Sequence, residues 1–382
     1  AGVKAVGMQF KSTFDAIGFE TQWHDGKAFN RAGHLEATWL SKTSPNATKL
    51  LLIGHLDTVF AKDDDFQQLK NLEGNFVAGP GITDMKGGDV IIVTALKILK
   101  EQGLLENLNI KVVMTGDEEK SGRPLSLSKK LLIDAGKWAD IALGFEDGDS
   151  NIKTAVIARR GASGWSLRAT GKAAHSSQIF REDIGFGAIY EISRILNAFR
   201  VQLSKEHNLT FNPGIMMAGS TVKYDHLTST GTVFGKDNII AKTGGINGDI
   251  RAMSPEQEAK TRKVMQEIVS KNLPHTSSKI TFYDGYPAMP PTDENRQLLA
   301  IYSQVSQDLG YGEVIAVNPR KAGAADISFV ASHVDMALDG LGLMGSGGHT
   351  KDEVADMSSF KKNIQKAAIL MYRLANNYQA KH

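Results

Sequence analysis

Short apolar runs alternate along the chain with longer segments whose apolar residues recur every three to four positions. The runs at residues 50–53, 108–114 and 141–145 have the length and continuity of strands that are buried on both faces. Residues 89–100 have the spacing of an amphipathic helix. Buried strands that alternate with helices predict an α/β domain with a mixed, mostly parallel sheet and flanking helices.

Side chains that can bind a metal follow each of these runs. His55 comes after the first run, the acidic triplet of residues 117–119 after the second, and Glu146 after the third. Asp84 lies in the glycine-rich stretch GPGITDMKGG, and His349 lies in another, GSGGHTKDE. Because the carboxyl ends of parallel strands share one edge of a sheet, we expect these side chains to meet there. Imidazole and carboxylate ligands favour zinc, with manganese and cobalt as alternatives.

The sequence lacks the signatures of serine hydrolases, of nucleotide-binding proteins and of HExxH metalloproteases. The serines at positions 163, 220 and 346 are not set in the GxSxG motif of a nucleophile elbow. The glycines ahead of Asp84 lack the third glycine of GxGxxG, and no glycine–lysine pair is followed by serine or threonine as in a P-loop. The HExxH motif is also missing, so metal-assisted hydrolysis by scattered ligands ranks first among the enzyme classes.

Composition restricts the partners and leaves the compartment open. The 382 residues carry 44 basic and 42 acidic side chains, a formal net charge of +2, so no overall field favours nucleic acid or a membrane surface. Cysteine is absent, which excludes disulfides and thiolate ligands and fits a reducing or an oxidising compartment equally. The first residues do not have the sequence pattern of a signal peptide, but a mature exported chain would lack that pattern as well.

The motifs HLDTV, GPGITDMKGG, GDEE, FED, GKAAHS and GGH, in this order, resemble the M20 family of dinuclear zinc peptidases, and within it the glutamate carboxypeptidases. The resemblance implies an amide hydrolase whose catalytic domain is interrupted by a smaller lid used for dimerisation. We therefore expect a catalytic domain at residues 1–159 and 286–382. The lid, at 160–285, would be an α+β insertion with a four-stranded sheet and two helices, with strand-like segments at 156–159 and 279–283.

The resemblance also implies a metal ligand set. Asp84 would bridge two zinc ions, His55 and Glu146 would bind one of them, and Glu119 and His349 would bind the other.

Further catalytic roles follow from the same likeness. Glu118 would be the general base that takes a proton from the attacking water and passes it to the leaving amine. Asp57 would accept a hydrogen bond from His55 and so orient the imidazole. The peptide bond from Asp84 to Met85 would be cis.

Substrate contacts would come mainly from the lid. The family likeness makes His175 the oxyanion donor to a neighbouring subunit, and makes Asn238 and Arg251 the residues that hold the terminal carboxylate of the substrate. Ala241 replaces the proline that usually follows this asparagine. A glycine-rich element is represented loosely by residues 322–326, from which Gly323 would contact substrate.

These observations predict a zinc-dependent exopeptidase that removes a C-terminal amino acid, with glutamate as the candidate, from peptides or N-acyl amino acids. The predicted form is a homodimer joined through the lid, without nucleic-acid or membrane partners. The alternatives are an aminoacylase, a deacetylase or a di- or tripeptidase with the same machinery, and a non-catalytic relative that binds metal.

Overall fold

The computed structural model describes residues 2–225 and 229–377. Its strands are β1 Glu20–Asp25, β2 Gly33–Trp39, β3 Lys49–His55, β4 Lys70–Asn71, β5 Phe76–Ala78, β6 Asn109–Thr115, β7 Ile141–Gly144, β8 Thr154–Ala155, β9 Ala162–Gly171, β10 Thr210–Gly219, β11 Thr221–Asp225, β12 Thr230–Phe234, β13 Thr243–Arg251, β14 Thr276–Tyr286, β15 Ile315–Ala316, β16 Met336–Leu338, β17 Gly345–Ser346 and β18 Val354–Asp356.

The helices are α1 Gly2–Ala16, α2 Gly87–Glu101, α3 Leu125–Ser128, α4 Lys130–Trp138, α5 Gly187–Leu203, α6 Pro255–Val269, α7 Asp293–Asp308 and α8 Ser358–Asn377. Single helical turns occur at Lys27–Phe29, Ile82–Lys86, Leu105–Asn107, Ser176–Gln178 and Asp326–Phe329. None of the helices in the described part of the chain combines the length and the apolar character needed to cross a bilayer.

Contacts divide the chain into two compact units, one formed by residues 1–159 with 289–382 and the other by residues 160–288. The first unit contains a six-stranded sheet in the order β1-β2-β6-β3-β7-β16. Strands β6, β3, β7 and β16 run parallel, and β2 and β1 extend the sheet antiparallel at the β6 side. The predicted mixed, mostly parallel sheet with flanking helices is confirmed.

Helices explain why the central strands are continuously apolar. Helix α2 packs on α8 and β3, while α4 contacts β3 and β6, so β3 is covered by helices. Leu50, Leu51 and Leu52 are fully buried as a result. A small antiparallel sheet in the order β17-β18-β5-β4 completes the part of this unit that matters for the site, because the loop from β17 to β18 carries His349.

The second unit is an antiparallel sheet in the order β10-β13-β9-β14 with helices α5 and α6, which confirms the predicted four strands and two helices. Its core lies between the helices and one face of the sheet, where Trp165 and Phe199 meet edge to face at 5.9 Å. A hairpin of β11 and β12 extends this unit and was not predicted.

Two boundaries differ from the sequence-based expectation. Residues 156–159 were predicted as a strand, but Val156 and Arg159 form only isolated bridges, to Asp339 and Met289. The second unit extends to residue 288 rather than 285, because β14 continues to Tyr286 and pairs there with Ala162.

The core of the second unit generates a stability prediction. Replacing Phe199, which is fully buried in α5, with alanine removes a ring from the Trp165 contact and should lower the free energy of unfolding by about 3 to 5 kcal/mol. Val201→Ala in the same helix, at 59% exposure, should change it by less than about 0.5 kcal/mol. Denaturant titration followed by tryptophan fluorescence measures both, and equal losses would contradict the assignment of the core.

Candidate metal centre

Three adjacent parallel strands bring the first group of site residues to one edge of the sheet. β6 and β7 both pair with β3 in parallel, so all three end on the same side. His55 is the last residue of β3, Glu118 and Glu119 follow β6, and Glu146 follows β7. The fold therefore assembles at this edge side chains that are up to 91 positions apart in the sequence.

The turn at residues 82–86 brings Asp84 to the same edge. Asp84 and Met85 leave helical geometry there, and the peptide bond between them is cis, as the sequence motif implies. The turn begins at Gly81 with φ +67°, a left-handed conformation that favours glycine. It ends where α2 starts, close to β7: a side chain at Gly88 would place its Cβ 2.0 Å from the carbonyl oxygen of Phe145.

A buried carboxylate that the sequence analysis missed holds this turn in place. One carboxylate oxygen of Glu353 accepts hydrogen bonds from the amides of Thr83 and Asp84, at 2.9 and 3.2 Å, and from the Thr83 hydroxyl at 3.0 Å. The other accepts from the Gly81 amide at 2.7 Å. Glu353 is fully buried, so these donors fix the main chain on both sides of Asp84. Its sequence signal is weak, an acidic residue four positions after His349.

Asp84 faces a different histidine with each of its oxygens. Oδ1 lies 2.9 Å from Nε2 of His55, and Oδ2 lies 2.9 Å from Nε2 of His349. Beyond the histidines, Nε2 of His55 is 3.7 Å from Glu146, and Nε2 of His349 is 3.2 Å from Glu119. The five residues named as metal ligands thus form two groups that share Asp84.

Asp57 lies against His55 with both its main chain and its side chain. The Nδ1 atom of His55 lies 3.1 Å from the main-chain carbonyl of Asp57 and 3.5 Å from its carboxylate. The carboxylate also accepts the amide hydrogens of Glu118 and Glu119, both at 3.1 Å. Asp57 therefore orients the imidazole of His55, and its side chain also holds the segment that carries the two glutamates.

His349 differs from the other members because it sits on an exposed loop. Its backbone is left-handed with φ +64°, and its side chain is 61% exposed. Two residues further on, Lys351 makes ion pairs with Asp64 and Asp65 on a neighbouring loop.

Crowded carboxyl groups shift one another's proton affinity. Burial, with repulsion from Asp326 and Glu119, raises the pKa of Glu118 to about 8. Burial and the charge of Asp84 raise the pKa of Glu119 to about 7. Burial acts in the same direction on Asp84, but hydrogen bonds with His349 and His55 outweigh it and hold its pKa well below the usual range.

A buried ion network supports the segment that carries Glu118. The ammonium of Lys129, which has no solvent exposure, lies 2.9 Å from Asp117 and 3.0 Å from Asp326. Asp117 also accepts hydrogen bonds from the Gly122 amide, at 2.7 Å, and from the Ser128 hydroxyl. The network ties the end of β6 to the start of α4 and to the turn at Asp326–Phe329. Sequence reasoning overlooked Lys129, because a lysine in a helical segment normally indicates a solvated face.

The donor set suits divalent cations. Ligand atoms of His55, Asp84 and Glu119 all lie within 4.8 Å of one another. Imidazole nitrogen and carboxylate oxygen are ligands that zinc accepts readily. A cation would also favour the ionised forms of glutamates whose pKa burial has raised. These residues therefore form a candidate metal centre.

A cavity of about 350 Å³ opens beside this centre. It is lined by Asp84, Glu118, Glu146 and His349 together with residues 147–148, 150, 159, 321, 323–325 and 346–348. Gly323, predicted to contact substrate, lies in this lining, and its carbonyl accepts a hydrogen bond from Arg159 at 2.8 Å. Glu118 therefore faces the same cavity as three of the predicted metal ligands.

The remaining predicted residues lie in the second unit. The Ser176 amide donates to the carbonyl of Asn238 at 2.9 Å, so the segments of His175 and Asn238 are neighbours. Nδ1 of His175 lies 2.8 Å from the Ser177 hydroxyl. Arg251, at the end of β13, forms an ion pair with Asp249 at 2.9 Å. The roles of these three residues in substrate binding stay predictions.

Comparison with known proteins agrees with this geometry. Residues 51–377 match the model of peptidase family M20/M25/M40. The chain belongs to this family. It is an M20 metallopeptidase, and the resemblance stated from its motifs is confirmed.

Individual members of the M20 family show both the likeness and its limits. Carboxypeptidase G2 of a Pseudomonas strain is 29% identical over 332 residues, 85% of this chain and 74% of that enzyme. The structure of aminopeptidase PepT from Bacillus cereus superimposes with a TM-score of 0.74 at 16% identity, covering 97% of this chain and 92% of that one. YXEP of Bacillus subtilis, described as a dinuclear metal-binding M20 peptidase, has a TM-score of 0.68 at 13% identity, covering 98% and 93%.

The position of Glu353 generates a prediction about metal affinity. Glu353→Gln would turn an NH₂ group toward donors that need an acceptor, which should loosen the turn of Asp84 and weaken metal binding about 10- to 100-fold. Competition titration with a chromophoric chelator measures the change. Asp352→Asn, next to it and exposed, is the control and should bind metal like the wild type. Unchanged affinity in Glu353→Gln would contradict the role assigned to this carboxylate.

Proposed function

We propose that this M20 metallopeptidase is a zinc-dependent exopeptidase that releases a C-terminal amino acid from peptides or N-acyl amino acids. The observation that carries the hydrolytic part of the proposal is the placement of Asp84 between two histidines, with the partly buried Glu118 belonging to neither ligand group. This arrangement supports a proposal of two cation positions and one separate acid–base group.

Two zinc ions would be held by His55 and Glu146 on one side and by Glu119 and His349 on the other, with Asp84 shared. The solved structure described as a dinuclear metal-binding M20 peptidase supports the count of two. Bound there, the ions would polarise the scissile carbonyl and make the attacking water more acidic.

Glu118 is the residue we assign to proton transfer. Its carboxyl group lines the cavity, and burial raises its pKa, which favours its uptake of a proton from water. It takes a proton from water as the amide carbon is attacked. It then donates that proton to the nitrogen of the leaving amino acid.

Residues of the second unit would bind the ends of the substrate. We assign the terminal carboxylate to Arg251 and Asn238, because a guanidinium matches a carboxylate in two-point geometry. Asp249 holds Nε of Arg251 and so orients the guanidinium. His175 would donate to the oxyanion in the active site of a second subunit, which makes a homodimer the proposed active form.

Glutamate is the proposed leaving amino acid. The support is the likeness to carboxypeptidase G2 over 85% of this chain. An aminopeptidase is the second candidate, since the structure of aminopeptidase PepT covers 97% of the chain. The two reactions differ in which end of the substrate must carry a free charge, so substrates blocked at one end separate them.

Replacing the proposed base tests the reaction. Glu118→Gln keeps the size of the side chain and removes its ability to accept a proton, so kcat should fall by at least about 100-fold while bound zinc stays near the wild-type content. Elemental analysis and a peptide hydrolysis assay on the same preparation measure both. Glu119→Gln is the contrast and should lose zinc together with activity. Rapid turnover by Glu118→Gln would remove this residue as the base.

The direction of cleavage is tested at Arg251. Arg251→Ala should raise KM about 10-fold or more for substrates with a free terminal carboxylate, because an ion pair with that carboxylate is lost, and should affect C-terminally amidated substrates little. Arg251→Lys should recover part of the loss, and Arg200→Ala, an exposed arginine of α5, is the control. An equal loss on amidated substrates would argue for the aminopeptidase alternative or for a structural role.

A further inference from the structure

Among the residues that line the cavity beside the metal centre, Lys321 differs from the other cations. The lining also contains Arg159 and His349. Arg159 is buried, with Nε 2.8 Å from Asp339, and His349 faces Asp84 and Glu119. Lys321 is exposed, and across residues 2–225 and 229–377 no carboxylate pairs with its ammonium. Its charge is therefore available to a molecule in the cavity.

The backbone around Lys321 is held on both sides. Before it, a tight turn is closed by its amide, which donates to the carbonyl of Asn318 at 2.8 Å. The side chain of Asn318 accepts from the amide of Arg320 at 2.9 Å. After it, Arg159 holds the carbonyl of Gly323. The lysine thus extends from a fixed segment, so ligand binding orders its side chain without also having to order the backbone.

The rest of the lining explains why a cation matters at this position. Asp84, Glu118, Glu146 and Asp147 all face the same cavity. The proposed zinc ions would be committed to their ligands and to the reacting amide, so a further carboxylate on the substrate needs another cation as its attractive partner. A neutral substrate has no such requirement.

We propose that Lys321 is a specificity residue that selects substrates carrying an additional carboxylate, by pairing with that group in the cavity. The carboxylate can belong to the side chain of the leaving amino acid or to the acyl portion, and the recognition chemistry is the same. This inference rests on the proposed hydrolytic function and adds to it the class of substrate.

The test uses substrate pairs that differ only in charge. N-benzoyl-glutamate with N-benzoyl-glutamine tests the leaving side, and N-succinyl-alanine with N-butyryl-alanine tests the acyl side. Lys321→Met should raise KM for the acidic member of at least one pair by roughly 3- to 10-fold, leave kcat and the neutral member within about 2-fold, and be largely restored by Lys321→Arg. Arg320→Met removes an adjacent exposed cation that does not line the cavity and is the matched control.

Equal losses on acidic and neutral substrates, no loss at all, or the same loss in Arg320→Met would overturn the inference. Calorimetric titration of the zinc-loaded protein with glutamate and with glutamine tests the role of Lys321 independently of hydrolysis. A glutamate preference that depends on Lys321 in a protein that hydrolyses none of the substrates would refute the proposed function alone. Hydrolysis of neutral substrates without any effect of Lys321→Met would refute this inference alone, and failure of both readouts would refute both.

Discussion

The site depends on one constraint, the fixed position of the Asp84 carboxylate. Its two oxygens can face two histidines only if the backbone on either side of Asp84 does not move, and Glu353 supplies that constraint by accepting hydrogen bonds from the amides of Gly81, Thr83 and Asp84. A fully buried carboxylate is costly unless its oxygens are satisfied, and here they are satisfied by the turn that needs fixing. The same hydrogen bonds therefore offset the cost of burying Glu353 and orient Asp84.

Charge is concentrated at the carboxyl edge of the sheet, and buried cations balance part of it. Lys129 sits between Asp117 and Asp326, and Arg159 binds Asp339, so the acidic groups below the site are paired. Burial raises the pKa of Glu118 and Glu119 in the site, whereas hydrogen bonds with two histidines keep the pKa of Asp84 low. The protein thus pairs Asp117, Asp326 and Asp339 with buried cations, while burial raises the proton affinity of the two glutamates beside the metal centre.

Much of the fold followed from the sequence because a continuous apolar run that ends in a polar residue is the strongest signal. The run indicates a buried strand, and the polar residue indicates the edge of the sheet at which that strand ends. That reasoning brought His55, Glu119 and Glu146 to one edge of a sheet, where the structure has them. It failed where the cause is tertiary. Glu353 is in a segment whose sequence indicates a loop, and Lys129 is in one that indicates an exposed helix surface. Only the packing around these two residues shows that they are buried. The hairpin of β11 and β12 was missed, and the end of β14 was misplaced by a few residues, because cross-strand pairing defines both.

The ligands of the candidate centre are not equally anchored. His55 and Glu146 sit at the ends of buried strands, whereas His349 lies on an exposed loop whose apex is tied to its neighbour by the ion pairs of Lys351 with Asp64 and Asp65. Pairs of this kind are screened by dissolved salt, whereas strand packing is not. The half of the centre that contains His349 is consequently the one that responds to the ionic strength of its surroundings, so a saline medium would loosen one cation position and spare the other.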